Sequence, residues 1–121
     1  MTDSAGPVGL PKVSDAATAA LEDWGPLEEA TGHEMATSGL TLWKDEASDD
    51  QSGIWACTPG PSYWELETNE FVHIVSGRMT VTEDGGSPVE VGPGDTVLFA
   101  TGWKGSWEIH ETVRKLYVIF G

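Results

Sequence analysis

Residues 71–99, FVHIVSGRMTVTEDGGSPVEVGPGDTVLF, decide the fold. Valine, isoleucine, threonine and phenylalanine crowd this stretch, and turn residues interrupt it at short intervals, as antiparallel strands require and helices do not. Phe71–Ser76, Arg78–Glu83, Val89–Val91 and Thr96–Phe99 read as strands. Between the second and third stands Glu83-Asp84-Gly85-Gly86, a hairpin turn, because Asp-Gly and Gly-Gly tolerate the positive φ that such turns need. Pro93-Gly94-Asp95 and Thr101-Gly102 mark further turns.

The same texture runs outward from this stretch. From Gly39 to the C-terminus, further short β-prone runs give expected strands at Leu40–Lys44, Gly53–Thr58, Ser62–Glu67, Gly105–His110 and Arg114–Phe120. The last of these is apolar on both alternating faces and is expected at the centre of a sheet, with both faces largely covered. Strands this short and evenly spaced predict an all-β sandwich or barrel. Residues 1–38 lack the alternation and read as an irregular N-terminal arm, partly extended or short helical, with Ser14–Trp24 as its helical piece and Gly25-Pro26 as the stop. Residues 39–121 form the barrel domain in this reading.

The chain has 121 residues, room for one core. Twenty acidic against six basic residues give a formal charge of -14, which repels nucleic acid and anionic membranes. Eleven of the acids lie in the first fifty residues, where runs such as Asp45, Glu46, Asp49 and Asp50 read as solvated loop. Cys57 is the single cysteine, so no internal disulfide forms. No apolar run reaches membrane-spanning length, and the N-terminus has no basic start followed by an apolar segment. A cytoplasmic location is expected.

Three segments carry a resemblance. Glu70 is followed by six residues and Gly77; Gly92-Pro93-Gly94-Asp95 leads through a strand to Thr101-Gly102; and Gly105-Ser106-Trp107-Glu108-Ile109 precedes Val113–Ile119. With Gly53–Gly60, these resemble the cupin superfamily, and within it the small single-domain cupins named after (S)-ureidoglycine aminohydrolase, relatives of the ethanolamine-utilisation cupin. The resemblance covers about two thirds of the chain, Gly39 to Gly121. It implies a jelly-roll β-barrel of the RmlC-like type, open at its mouth to a small ligand. It also implies carbon–nitrogen hydrolysis or lyase chemistry on a small polar, nitrogen-containing metabolite, with a divalent metal. The sequence departs from the metal-binding pattern. Tyr63 and Glu65 stand where the first motif has its two histidines, Ala100 stands at the proline of the second motif, and Gly105 at its histidine. Glu70 is retained.

Candidate residues follow. Glu65 and Glu70, placed at the barrel mouth beside Tyr63, are the expected carboxylates, able to hold a hard divalent ion such as Mn or to act as a general acid and base. Lys115 is a cation in an apolar strand and faces the same way as Tyr117; pairing with Glu65 or Glu70 would account for it and would fill the space of the missing metal. Catalytic roles therefore fall to Glu70, Glu65 and Lys115, substrate contacts to Tyr63, Trp103 and Tyr117, and a metal, where one is bound, to Glu65 and Glu70. His73 is expected on the face opposite Glu70, in a structural role. Of the six tryptophans, Trp24 and Trp43 are expected to anchor the arm and the first strand, the others to pack in the core. A metal-free binding or accessory module stands beside the enzyme reading, and a homodimer is expected from exposed sheet surface.

Overall fold

The computed structural model describes residues 9–121. They form eight strands and no helix: β1 (Glu22–Pro26), β2 (Ala36–Lys44), β3 (Gln51–Cys57), β4 (Gly60–Glu65), β5 (Asn69–Glu83), β6 (Val89–Val91), β7 (Thr96–Phe99) and β8 (Lys104–Phe120). All pairings are antiparallel, in the order β1-β2-β3-β8-β5-β6, with β4 also on β8 and β7 also on β5. The long strands β5 and β8 serve both layers of a jelly roll. The first half of β5 lies between β7 and the end of β8, and its second half between β6 and the start of β8.

Four runs that read as separate strands are thus two continuous ones. Gly77 reads as a break in the sequence, yet it sits inside β5 with φ of +87°, where a Cβ would lie 2.2 Å from the carbonyl oxygen of Thr112. Only glycine lets the two backbones approach this closely while the strand bends. Register shifts cluster there, between Ile74 and Met79, and they change the phase of the strand. Glu70, Val72 and Ile74 point inward before the bend, Met79 and Val81 after it. An irregularity of one residue is what moves inward positions from even to odd numbers.

The arm is more ordered than its composition implies. Ser14–Trp24 holds a turn at residues 16–18 rather than a helix, and the chain from Glu22 onward joins the sheet as β1, paired with β2. The sheet therefore begins well before residue 39. Arg114 fastens the preceding segment by donating from Nη1 to the carbonyls of Ala16 (2.8 Å) and Ala19 (3.0 Å). Trp24 anchors the arm as expected, its ring lying flat on Gly39, whereas Trp43 is 46% exposed.

Trp107, Phe99, Met35, Ile74, Met79, Ile109, Val72 and Val113 fill the core. The C-terminal half of β8 is central, between β3 and β5, but only its inner face is buried. Leu116, Val118 and Phe120 remain substantially exposed on the outside, next to Phe71 and Leu98, which contradicts the expectation of two covered faces.

Candidate functional site

One cavity of about 220 Å³ opens inside the barrel, lined by Trp24, Gln51, Trp55, Trp64, Glu70, Lys115, Tyr117 and Ile119. Alternation builds its floor: Lys115, Tyr117 and Ile119 are the inward residues of β8, and Glu70 is the inward residue at the start of β5, opposite Ile119. Lys115 Nζ donates to Glu70 Oε2 at 2.8 Å, with the lysine side chain 3% and the carboxylate side chain 11% exposed. Burying either charge alone would be costly, so each is the condition for the other. Two indoles complete the surroundings of the ammonium, which lies 4.5 Å from the ring centroids of both Trp55 and Trp107. Cation–π contacts of this kind gain strength where water is excluded.

The aromatic wall is continuous. Trp64 stacks on Trp107 at 4.2 Å between centroids, and Trp55 meets both edge to face at 6.3 and 6.4 Å. Ser62 locks the stack, accepting from Trp64 Nε1 (2.8 Å) and donating to the Trp107 carbonyl (3.1 Å). Trp107 Nε1 is fully buried without a hydrogen-bond partner among the described residues, an unusual condition for an indole N–H. Tyr117 donates its hydroxyl to Gln51 Oε1 at 3.2 Å. Burial raises the Tyr117 phenol above its ordinary range, the Thr41 hydroxyl opposes the shift, and the Glu70 charge adds to it. Cys57 is also buried, and desolvation pushes its thiol up to about 11 even though Lys115 pulls the other way.

Of the expected site residues, Glu70, Lys115 and Tyr117 come together, and the expected ion pair forms with Glu70. Glu65 and Tyr63 do not join them. β4 turns Ser62 and Trp64 inward, so Tyr63 and Glu65 point outward and are exposed. The one-residue difference matters because side chains alternate with period two. Tyr63 instead donates to Asp84 Oδ2 at 2.5 Å across the outer surface, a bond that raises its phenol to about 12. Trp103 packs edge to face on Phe99 at 4.9 Å and borders a separate hollow with Val81, Val89 and Leu98, away from Glu70. His73 lies on the opposite face from Glu70, as expected, sharing a 3.1 Å hydrogen bond with Thr96 Oγ1.

Trp24, Trp55, Trp64 and Gln51 escaped the sequence reading of the site. Trp24 sits where the β1 register shifts between Asp23 and Gly25, and such an irregularity can re-aim a side chain. The alternation of β3, with Gln51, Trp55 and Cys57 on the lysine's side, was the available signal for two of the others.

A metal does not fit this arrangement. Among the described residues no three of His, Cys, Asp and Glu converge. The proposed partner Glu65 faces away, and the one inward carboxylate, Glu70, is bonded to an ammonium that would repel a divalent cation.

Comparison with known proteins places this geometry in context. A family model described as the EutQ-like cupin domain matches residues 44–117. A crystal structure of a DUF861-family protein of unknown function from Pseudomonas syringae pv. tomato superposes with a TM-score of 0.76 at 26% identity, over 85% of this chain and 45% of that one. The chain thus spans less than half the length of that relative. An ethanolamine utilisation protein Q from Salmonella typhimurium matches at 21% identity with a TM-score of 0.65, over 79% of this chain and 76% of that one. A DUF861-family protein from Thermotoga maritima is 34% identical, with a TM-score of 0.54, over 55% of this chain and 76% of that one. No curated protein matches the chain. Among the described residues no helix is long and apolar enough to cross a membrane.

Proposed function

We propose that this chain, which belongs to the EutQ-like cupin family, is a metal-independent binding module for a small, uncharged, planar metabolite bearing an amide-like or ureido group. One observation carries the reading: the buried Lys115–Glu70 pair lies in the wall of an indole-lined cavity. Their mutual hydrogen bond uses one of three ammonium donors and one of two carboxylate oxygens. A donor and an acceptor set side by side match a group offering a carbonyl oxygen beside an N–H, and flat indole faces suit its planar body. The pair is neutral as a unit, while the chain carries -14, so an anionic ligand gains nothing from the site and is repelled by the whole.

Titration of metal-stripped protein with ureido and amide compounds, followed by tryptophan fluorescence in the presence of a chelator, tests the reading. Saturable binding is expected, weakened at least tenfold in Lys115→Met and in Trp24→Ala. Binding that appears only with an added divalent ion, or that ignores both substitutions, would overturn it. Hydrolytic or lyase chemistry, which the ureidoglycine aminohydrolase resemblance implies, would run here through Glu70 and Lys115 as the proton-transfer pair. Metal-free turnover of a bound ureido compound is the outcome that would change the module from binder to enzyme.

A further inference from the structure

The cavity holds a primary amine, and that amine has chemistry which hydrogen bonding does not exhaust. We propose that Lys115 forms a reversible imine with a small, uncharged aldehyde, making the pocket a covalent carbonyl-capture site. The inference rests on reading this cavity as a ligand site, but not on the ligand being an amide.

Three features support it. First, Lys115 is the one lysine enclosed in the barrel; Lys12, Lys44 and Lys104 are exposed. Second, Glu70 Oε2 lies 2.8 Å from Nζ, within direct proton-transfer range. Proton transfer between them turns the charge pair into a neutral acid and a free amine, the nucleophile the reaction needs. Third, the surroundings that hold a cation at Nζ suit the product as well as the reactant. A protonated imine keeps its positive charge on the same nitrogen, so the Trp55 and Trp107 faces and the Glu70 carboxylate stabilise it as they stabilise the ammonium.

The step balances without a further reagent. Nζ passes a proton to Glu70, its lone pair attacks the carbonyl carbon as the C=O π pair moves onto oxygen, and one of the two protons left on the nitrogen passes to that oxygen to give a neutral carbinolamine. Glu70 returns the proton to the hydroxyl, the C–O bond breaks with loss of water, and the nitrogen lone pair forms the C=N bond of the iminium. Ammonium plus aldehyde thus becomes iminium plus water, with no change in net charge or oxidation state. The -14 charge and the adjacent carboxylate disfavour keto acids, which selects uncharged aldehydes.

The test uses the full chain with benzaldehyde and sodium cyanoborohydride at neutral pH, followed by intact mass measurement and peptide mapping. The expected result is a single reductive adduct at Lys115, forming at least tenfold faster than adducts at Lys12, Lys44, Lys104 or the α-amine. Glu70→Gln should slow that adduct at least tenfold, and Lys115→Arg should abolish it while leaving the exposed sites unchanged. Label confined to the other amines, or Lys115 modified no faster than they are, overturns the proposal. Site mapping in the unsubstituted protein decides this even if a variant fails to fold. Fluorescence quenching by benzaldehyde without reductant separates the two readings. Saturable binding with Lys115 unmodified sinks the imine and keeps the ligand pocket, whereas no binding and no adduct, with no binding of the amide panel, sinks both.

Discussion

Replacing Lys115 with methionine preserves most of the side chain's bulk and removes its charge, leaving Glu70 buried with an uncompensated carboxylate. The geometry sets the size of the effect. With side-chain exposures of 3% and 11% and a contact of 2.8 Å, the pair belongs to the buried class, in which loss of one partner costs about 3–5 kcal/mol. The two cation–π contacts are lost as well, but methionine recovers part of this through sulfur–aromatic contact with the same indoles, about 0.3–1.5 kcal/mol each. Lys115→Met should therefore destabilise the fold by about 4 kcal/mol at pH 7. Urea unfolding followed by tryptophan fluorescence measures this, since the indoles surround the site. The double variant Glu70→Met with Lys115→Met should recover most of the stability, because replacing both members of a buried pair by apolar groups of similar size is often neutral or better. A Lys115→Met cost below about 1 kcal/mol, or a double variant no more stable than the single one, would refute the argument that each charge is buried on account of the other.

Gly77→Ala should destabilise by at least about 2 kcal/mol in the same unfolding assay, because its φ of +87° and the 2.2 Å approach of Thr112 leave no room for a methyl group. Cys57 gives a pH signature: its thiol is raised from 9.0 to about 11, so its contribution is complete below pH 9 and is lost as pH rises toward about 11. The stability difference between the protein and Cys57→Ala should shrink by about 2 kcal/mol across that window, and native-state alkylation at pH 8 should be at least ~100-fold slower than in urea. A second copy of the chain is the proposed cover for the exposed apolar patch of the outer face, where Phe71 pairs across the sheet with both Leu98 and Val118. Light scattering should give twice the 12.9 kDa chain mass, and Phe71→Glu with Val118→Glu should give the monomer.

Much of the architecture was legible because strand signals are local. The turns at Asp84-Gly85-Gly86 and Pro93-Gly94-Asp95 and the period-two runs between them needed no tertiary information. Gly77 misled the reading because a glycine that ends a strand and one that lets two strands press together look the same in sequence. β1 was invisible for a different reason: Glu22–Pro26 has little alternation of its own and is a strand because the edge of β2 offers its backbone partners. At the site, Lys115 was legible because an inward charge in an apolar strand implies a counter-charge, and Glu70 because it keeps its place in the first cupin motif, although the choice between Glu65 and Glu70 as partner stayed open. Tyr63 and Glu65 were misplaced by a single position in β4, and in a pleated strand one position is the difference between cavity and solvent. Trp24 was beyond reach, because its place in the wall depends on an irregularity in β1 pairing and on the bare surface of Gly39 beneath its ring.

The inward carboxylate at Glu70 imposes a condition on whatever shares the barrel with it. A carboxylate in an apolar cavity requires a nearby positive charge, and either a bound cation or a side chain can supply one. Here the cation is tethered, and the tether changes what the pocket can select. A bound metal presents several exchangeable positions and favours ligands by donor atom, whereas Lys115 offers fixed N–H donors and selects by acceptor position and shape. The indoles follow from the same choice. An ammonium tolerates flat π faces at 4.5 Å on two sides, where a divalent ion would demand oxygen or nitrogen donors, so Trp55 and Trp107 can occupy space that ligands would otherwise need. The unpartnered Trp107 N–H then becomes a bearable cost: its ring lies against the ammonium and against Trp64, contacts that repay the burial of one donor. A histidine or carboxylate placed at an inward position of β4, Ser62 or Trp64, without removing Lys115 would meet both the cation and the stacked indoles, so building a metal site would require changing the floor and the wall together.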